Sequence, residues 1–524
     1  MVSPATTQVG HKTSEQADGT EIGGGLSRAE LLILVALCAA SAVACFFDLG
    51  ARSLWNDEVF SALIALHHGT DLWHAVTIDG GNMVIYRLLL RLCVALFGGG
   101  QFALRIPSAL AGVALTPVMF FLGRRMFGTR TGVVAAAIVA VSPPLVVWAQ
   151  QAQGYCLGTL LVASSALALL RAVERPTRRR WFVYGLLAVL SIYTIVWVGL
   201  FLVAQWLPVA FGRGARVRLS QMLTVAGGVG VAYVPLVVLA VRNGSGNVLL
   251  MNARPSTTEG IHIVQELSSG VAPELFHTTL VVAIVTVIAV LCWITASAEL
   301  LSRIRRAPGD FETMCLGIAL SWLLLPLVVD AIFSIAYRSL FVPAYLVQSV
   351  PAGAMVVAFV FVKVLPRLLS HALAIGFVGL LVAALVPTYG VSYEQWTQVS
   401  RYVRTASRSG DCLTVNKLEL DSNLGYYFSL EGVGSAAPRL VLPSLTWSDA
   451  LDPTFRGPVS SGSFTTVASS CTRLWIVVSR ESPGQVLEIN SEVNWFHAHG
   501  FKHVTVSHFA PQYGVGINVT LLAR

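Results

Sequence analysis

Between Leu31 and Pro387 the sequence is a succession of apolar segments, most of them close to the roughly 20 residues a helix needs to cross the hydrocarbon of a bilayer. In lipid every backbone polar group must be satisfied within its own segment, so these runs predict an all-α polytopic membrane protein. Composition agrees. Of the 524 residues 55% are hydrophobic and only 12% are charged, with a mean hydropathy of +0.70, whereas soluble domains carry about 25% charged residues. The formal charge of +8 would suggest nucleic acid in a soluble chain. Here many arginines sit in short loops between apolar runs, where basic residues orient helices, so no nucleic-acid partner is expected.

Arg28 precedes the first span, 31–50, which puts the amino end in the cytoplasm and "WNDE" outside. The stretch "NMVIYRLLLRLCVALFG" carries Arg87 and Arg91 at i,i+4 on one face, which suits an interfacial helix. Further spans are expected at 103–123, 132–149 and 155–172, as two short crossings within 181–211 turning near Thr194, and at 221–241, 277–300, 313–335, 340–362 and 370–387, about eleven in all. That register keeps every cluster of three or more arginines outside the tail in the cytoplasm. Outside then lie the loop with Asp57, Glu58, Asp79, Arg87 and Arg91, the turn "SPPLVVWAQQAQGY", the loop 242–276, Tyr337 with Arg338, and everything after 387.

Three regions follow. Residues 1–29 are polar and Gly-rich with no apolar core of a cleavable signal, and read as a disordered cytoplasmic tail. Residues 30–387 form the membrane domain. Residues 388–524 alternate helix-like stretches with β-rich runs separated by Gly, Pro and Ser, and read as an extracytoplasmic α/β domain. Six cysteines lie in or beside apolar segments as packing residues, while Cys412 and Cys471 fall in the tail. On an oxidising side these two are expected to form a disulfide between neighbouring strands; the alternative is two independent core residues.

Carboxylates beside a membrane are costly unless something uses them, which singles out Asp57 and Glu58 in "WNDEVFSA". Their alternative is to cap the helix that "VFSALIAL" begins. Asp79, before "GGN", is a turn residue or positions a substrate. Arg338, just after a span, is a ligand or a snorkelling anchor, and Arg87 and Arg91 suit lipid headgroups better than catalysis. His67 and His68 lack metal-ligand spacing and read as solvated surface.

The order of "WNDE" after the first span, "FALRIPSALAGVALTPVMFFLGRRMFGTRTGVVAAAIVAVSPPLVVWAQQAQGY", and "YRSLFVPAYLVQSVPA" near the last spans resembles the GT-C glycosyltransferases of glycosyltransferase family 39. These are the protein O-mannosyltransferase and aminoarabinose transferase type. The resemblance covers about residues 30 to 390, and the tail looks like those of actinobacterial members. It implies a multi-pass protein of the cell membrane that transfers one sugar, on the extracytoplasmic face, from a polyprenyl-phosphate donor to a hydroxyl of an envelope glycan, glycolipid or protein. Asp57 matches the family's first-loop Asp. Attack at the anomeric carbon needs a base for the hydroxyl and cations for the phosphate; because phosphate leaves unprotonated, one carboxylate suffices. The sequence offers Asp57 or Glu58 as base, Arg338, Arg87 and Arg91 with Tyr337 as phosphate ligands, and Asp79, Asn82, Gln150, Gln153 and Tyr155 as substrate contacts.

The chain also departs from the family. "GGNMVIY" stands where many members carry a His-Pro-Pro-like motif, and Gln153-Gly154-Tyr155 lacks the Arg they place before the Tyr. The second outer turn offers Gln150, Gln151 and Gln153 but no acid, so a divalent metal is poorly supported and transfer without cofactor is expected. Two rivals stay open. A transporter or flippase would need ionisable residues at mid-membrane, where Asp330 near an outer end is the nearest candidate. A member that has lost catalysis would bind a glycolipid or partner through its tail.

Overall fold

The structure is a computed structural model that describes residues 25–77, 80–211, 215–242, 256–269, 279–306, 309–336, 342–390, 392–415, 418–430, 437–442, 445–452, 464–480, 483–510 and 516–524. Asp79, Tyr337 and Arg338 lie outside the described residues, as does nearly all of the amino-terminal tail.

The first helix, α1 (Arg28–Phe46), opens on a reciprocal cap, Ser27 Oγ accepting from Glu30 N at 3.2 Å and Glu30 accepting from Ser27 N at 2.9 Å. Three shorter helices follow, α2 (Asn56–Leu66), α3 (Gly69–Thr77) and α4 (Val84–Phe97). At 14 residues α4 is too short to cross. It buries Tyr86, Leu90 and Val94 and turns Leu88, Leu92 and Leu96 outward.

The centre of the domain is α5 (Gln101–Phe127), α6 (Thr129–Ala140), α7 (Pro143–Ala149) and α8 (Tyr155–Glu174). Gly128, at φ 95°, ends α5 and starts α6, a conformation glycine adopts without strain. A Cβ on Gly123 would stand 2.8 Å from Gly132 Cα, so small residues let α5 and α6 cross closely. α6 and α7 meet at 54°, where Pro143 begins the second piece.

Beyond them run α9 (Arg178–Thr194), α10 (Gly199–Phe211), α11 (Ala215–Arg242), α12 (Thr257–Ser269), α13 (Thr279–Arg306), α14 (Phe311–Ala336), the short α15 (Pro343–Leu346), α16 (Val350–Phe359) and α17 (Arg367–Thr388). Eight described helices are long and apolar enough to cross a membrane, or nine if the bent α6–α7 pair counts as one span. The expected count of eleven is therefore not reached by length and composition. Its other two spans are α9 and α10, of 17 and 13 residues, which fall short of the roughly 30 Å hydrocarbon at about 1.5 Å per residue.

After α17 the chain forms helix α18 (Trp396–Ala406) and then a mixed sheet. Strand β1 (Cys412–Val415) leads through α19 (Leu418–Leu430) to β2 (Arg439–Leu442); α20 (Trp447–Ala450) and α21 (Phe464–Ser470) precede β3 (Arg473–Arg480); α22 (Pro483–Ala498) precedes β4 (Lys502–Phe509) and β5 (Gly516–Ala523). The order is β2-β1-β3-β5-β4, with β1 parallel to β2 and β3, and β5 antiparallel to β3 and β4. Side chains alternate across the pleat. Trp475, Val477, Val519 and Leu521 face α18 and α19 and share one core with the membrane domain, while Leu474, Ile476, Val478 and Leu522 join Phe496 and Phe501 in a separate cluster. In that second cluster Cys412 and Cys471 are joined by a disulfide with Cα atoms 6.0 Å apart, tying β1 to the segment between α21 and β3.

Candidate active site

The loop between α1 and α2 brings Asp57 and Glu58 into the first turn of α2, and the two neighbours have opposite fates. Glu58 is 0% exposed, and Arg105 of α5 grips it with both ends of its fork at 2.8 Å. Ala152 N donates to the same carboxylate at 2.6 Å and Trp55 N at 3.3 Å, which closes the first turn of the helix. Arg105, 2% exposed, spends its remaining donors on the carbonyls of Leu49, Arg52 and Ser53, each at 3.0 Å. All five of its N–H groups are used. A buried ion pair holds only with such saturation, because each charge left water to form it. Glu58 thus ties α1, α2, α5 and the 150–154 turn together, its carboxylate already engaged by Arg105, Ala152 N and Trp55 N.

Asp57 is exposed. Its backbone is fixed by Gln153, whose Nε2 donates to Asp57 O at 2.7 Å and to Ser61 Oγ at 3.1 Å. The turn carrying Gln153 is itself held: Ser108 Oγ donates to Gln153 O at 3.0 Å and lies 2.9 Å from Tyr86 OH. Gly154 permits this fit, since a Cβ there would come within 3.3 Å of Met83 and Tyr86 side chains. The Asp57 carboxylate lies within electrostatic reach of Tyr155 and Tyr345. Those rings belong to an aromatic group, with Trp148 edge-on to Tyr155 at 4.6 Å, Tyr155 and Tyr345 at 6.4 Å, and Trp197, in the break between α9 and α10, 6.4 Å from Tyr345. Asn82 reaches the same break, its Oδ1 accepting from Val196 N at 3.5 Å.

Three expected site residues make contacts within the scaffold. Gln150 Nε2 donates to Phe47 O at 2.7 Å and Cys45 O at 3.3 Å, closing the open carbonyls at the end of α1, while its oxygen accepts from Arg52. Arg87 is buried, donates to Val76 O at 3.1 Å and lies over the Phe60 ring at 5.6 Å. Arg91 binds Ala65 O at 3.3 Å and His68 Nδ1 at 2.5 Å. Both arginines therefore help to lock α2, α3 and α4 together. The histidines, read as solvated, have partners too, His67 facing Asp452 of the tail at 3.4 Å.

Sequence reasoning missed the second holder of the loop. Tyr427 OH accepts from Leu54 N at 2.6 Å and from Gln101 Nε2 at 3.0 Å. Ser53 Oγ bonds Thr397 Oγ1 at 2.9 Å, Glu394 accepts from Asn56 N at 3.1 Å, and Tyr393 stacks on Trp55 with centroids 5.6 Å apart. Burial, then the charge of Arg105, holds the guanidinium of Arg52 below its ordinary pKa. Arg105 did carry a signal, since an ionisable residue inside an apolar run is a site candidate. The tail contacts carried none. Among the described residues no three His, Cys, Asp or Glu side chains converge as metal ligands.

Residues 82–241 match the family model described as dolichyl-phosphate-mannose-protein mannosyltransferase, under half of the chain. No curated protein matches in sequence. Among solved structures the chain is similar to ArnT from Cupriavidus metallidurans in the apo state, with a TM-score of 0.55 and 16% identity over 94% of this chain and 98% of that one. ArnT bound to undecaprenyl phosphate gives a TM-score of 0.52 over the same shares. The archaeal oligosaccharyltransferase AglB from Archaeoglobus fulgidus, in complex with an inhibitory peptide and a dolichol-phosphate, gives 0.53 and 13% identity over 94% of this chain and 74% of that one. The fold is ArnT-like.

Proposed function

We propose that this protein is a membrane glycosyltransferase that moves a single sugar from a polyprenyl-phosphate carrier to an acceptor hydroxyl, with Asp57 as the base. The carrying observation is the division of labour between two adjacent carboxylates: Glu58 is locked to Arg105, while Asp57 is exposed on a backbone fixed at 2.7 Å by Gln153 and lies within electrostatic reach of Tyr155 and Tyr345. The mannosyltransferase family match over 82–241 and the ArnT-like fold support the reading.

In the reaction Asp57 takes the acceptor's proton as its oxygen attacks the anomeric carbon. The bond from that carbon to the phosphate oxygen breaks, polyprenyl phosphate leaves with the electron pair, and anomeric configuration inverts. No acid is needed for a leaving group that departs as phosphate. Arg338, with Tyr337, is proposed as its cation, because a guanidinium matches phosphate with two parallel bonds. Transfer takes place on the extracytoplasmic face without a metal, to an envelope glycan, glycolipid or protein.

Asp57→Asn keeps shape and removes proton acceptance. Transfer from undecaprenyl-phosphate-linked sugar in nanodiscs should fall by about 10²–10⁴-fold with the protein folded. A variant that transfers at the wild-type rate removes Asp57 as base.

A further inference from the structure

Gln348 is 0% exposed, and neither its amide oxygen nor its amide nitrogen meets a hydrogen-bond partner among the described residues. It lies in the single 3-10 turn Val347–Ser349 after α15, three residues beyond Tyr345. Its backbone is satisfied, the carbonyl accepting from Trp322 Nε1 at 2.8 Å. The side chain points at the first turns of α8: a Cβ on Gly158 would stand 3.8 Å from Gln348 Nε2 and 2.7 Å from Ile195 Cδ1. The amide therefore lies beside the first turn of α8, which begins at Tyr155, and near Ile195, the residue before the break that carries Trp197.

Burying an amide with both ends unpaired is unfavourable, and a leucine would fill the same place without that cost. Nearby orphans have a bland account. Trp293 Nε1 and Ser349 Oγ line a cavity of about 30 Å³ with Ser142 and Ser268, room for a water with polar partners. Gln348 does not line that cavity. An amide offers one acceptor beside one donor group, which is complementary to two adjacent hydroxyls of a sugar, and aromatic rings cover the apolar C–H faces of such a ring.

We propose that Gln348 recognises the sugar of the donor. The ring enters against Tyr155 and Trp197 as Tyr345, half-buried on its four-residue helix, turns aside, and the amide donates to one hydroxyl and accepts from the next. This rests on the glycosyltransfer reading and deepens it: Asp57 acts on the acceptor, while Gln348 holds the group transferred.

The test compares affinities for undecaprenyl phosphate, bare and loaded with mannose, glucose or arabinose, by native mass spectrometry in nanodiscs. The wild type should prefer the carrier loaded with at least one of these sugars. Gln348→Leu, and Gln348→Met as a slimmer second variant, should reduce that preference about tenfold, leave bare-carrier affinity unchanged, and keep or raise Tm. An unchanged preference, a wild type indifferent to all three sugars, or a lower Tm or bare-carrier affinity in both variants overturns the proposal, the last marking a structural amide satisfied by water. Failure of the glycosyltransfer reading shows elsewhere, as no transfer of sugar from the loaded carrier to an acceptor by the wild type in the same nanodiscs.

Discussion

The segment Leu49–Glu58 is held from two sides, and the two anchors are built differently. On the membrane side Arg105 and Glu58 form an enclosed ion pair with every guanidinium donor used. On the tail side the bonds come from Tyr427, which is buried, and from Thr397 and Glu394, which are part-buried, and most are between neutral groups. The first anchor is rigid because losing one partner strands a charge where water cannot follow. The second yields one bond at a time, because its bonds come from separate side chains and water can replace those at its part-buried edge. The backbone that carries Asp57 is thus fixed from the membrane side and adjustable from the tail.

The sharpest way to break the comparison is Arg105→Met. Stranding Glu58 should cost about 3–5 kcal/mol and show as poor insertion or a large fall in Tm. Arg105→Met with Glu58→Leu removes both charges and should recover most of that stability, yet leave transfer impaired, since the loop carbonyls lose their donors. Full activity in the double variant would reduce the pair to packing.

Cys412→Ala with Cys471→Ala comes next. Opening a loop closed across a separation of 59 residues should cost the tail about 4 kcal/mol by the chain-entropy model. Limited proteolysis should then cut after residue 388 while the membrane helices stay protected; equal loss of both would make the two regions one cooperative unit.

Glu394→Ala should lower turnover about tenfold and leave donor KM near wild type, because Asn56 N, one residue before Asp57, loses an ionised acceptor. A change confined to KM would place Glu394 at the substrate instead.

Tyr427→Phe should have the smallest effect, about 1–2 kcal/mol, as two donors lose their acceptor. Burial raises the pKa of Tyr427, so its contribution is complete below the ordinary tyrosine value of about 10 and fades as pH rises through the raised one. The Phe variant should lack that alkaline arm of a Tm–pH curve. An identical arm in both proteins would assign it to other groups.

Legibility in the sequence followed the range of each cause. Hydropathy marked α1, α5, α8, α13, α14 and α17, since about 20 neighbouring residues suffice to define a span, whereas α9 and α10 were too short to settle. Arg87 and Arg91 were read from their shared helical face. That face meets α2 and α3, and only their carbonyls, Val76 O and Ala65 O, reveal the use. Gln150, on a turn expected to meet substrate, instead caps a helix more than 100 residues upstream.

The sequence by itself determined that the chain crosses a membrane many times, that a β-rich tail follows, and that an acidic pair stands just past the first span. Each is a matter of composition within a short window. Only the tertiary structure decided which carboxylate is presented and which is enclosed, because Arg105 lies 47 residues from Glu58 and Ala152 lies 94. It also decided that the tail grips the same loop, through contacts more than 300 residues apart in the chain. Local pattern cannot encode such pairings. They exist only once helices and sheet have packed, when a buried charge must find its partner.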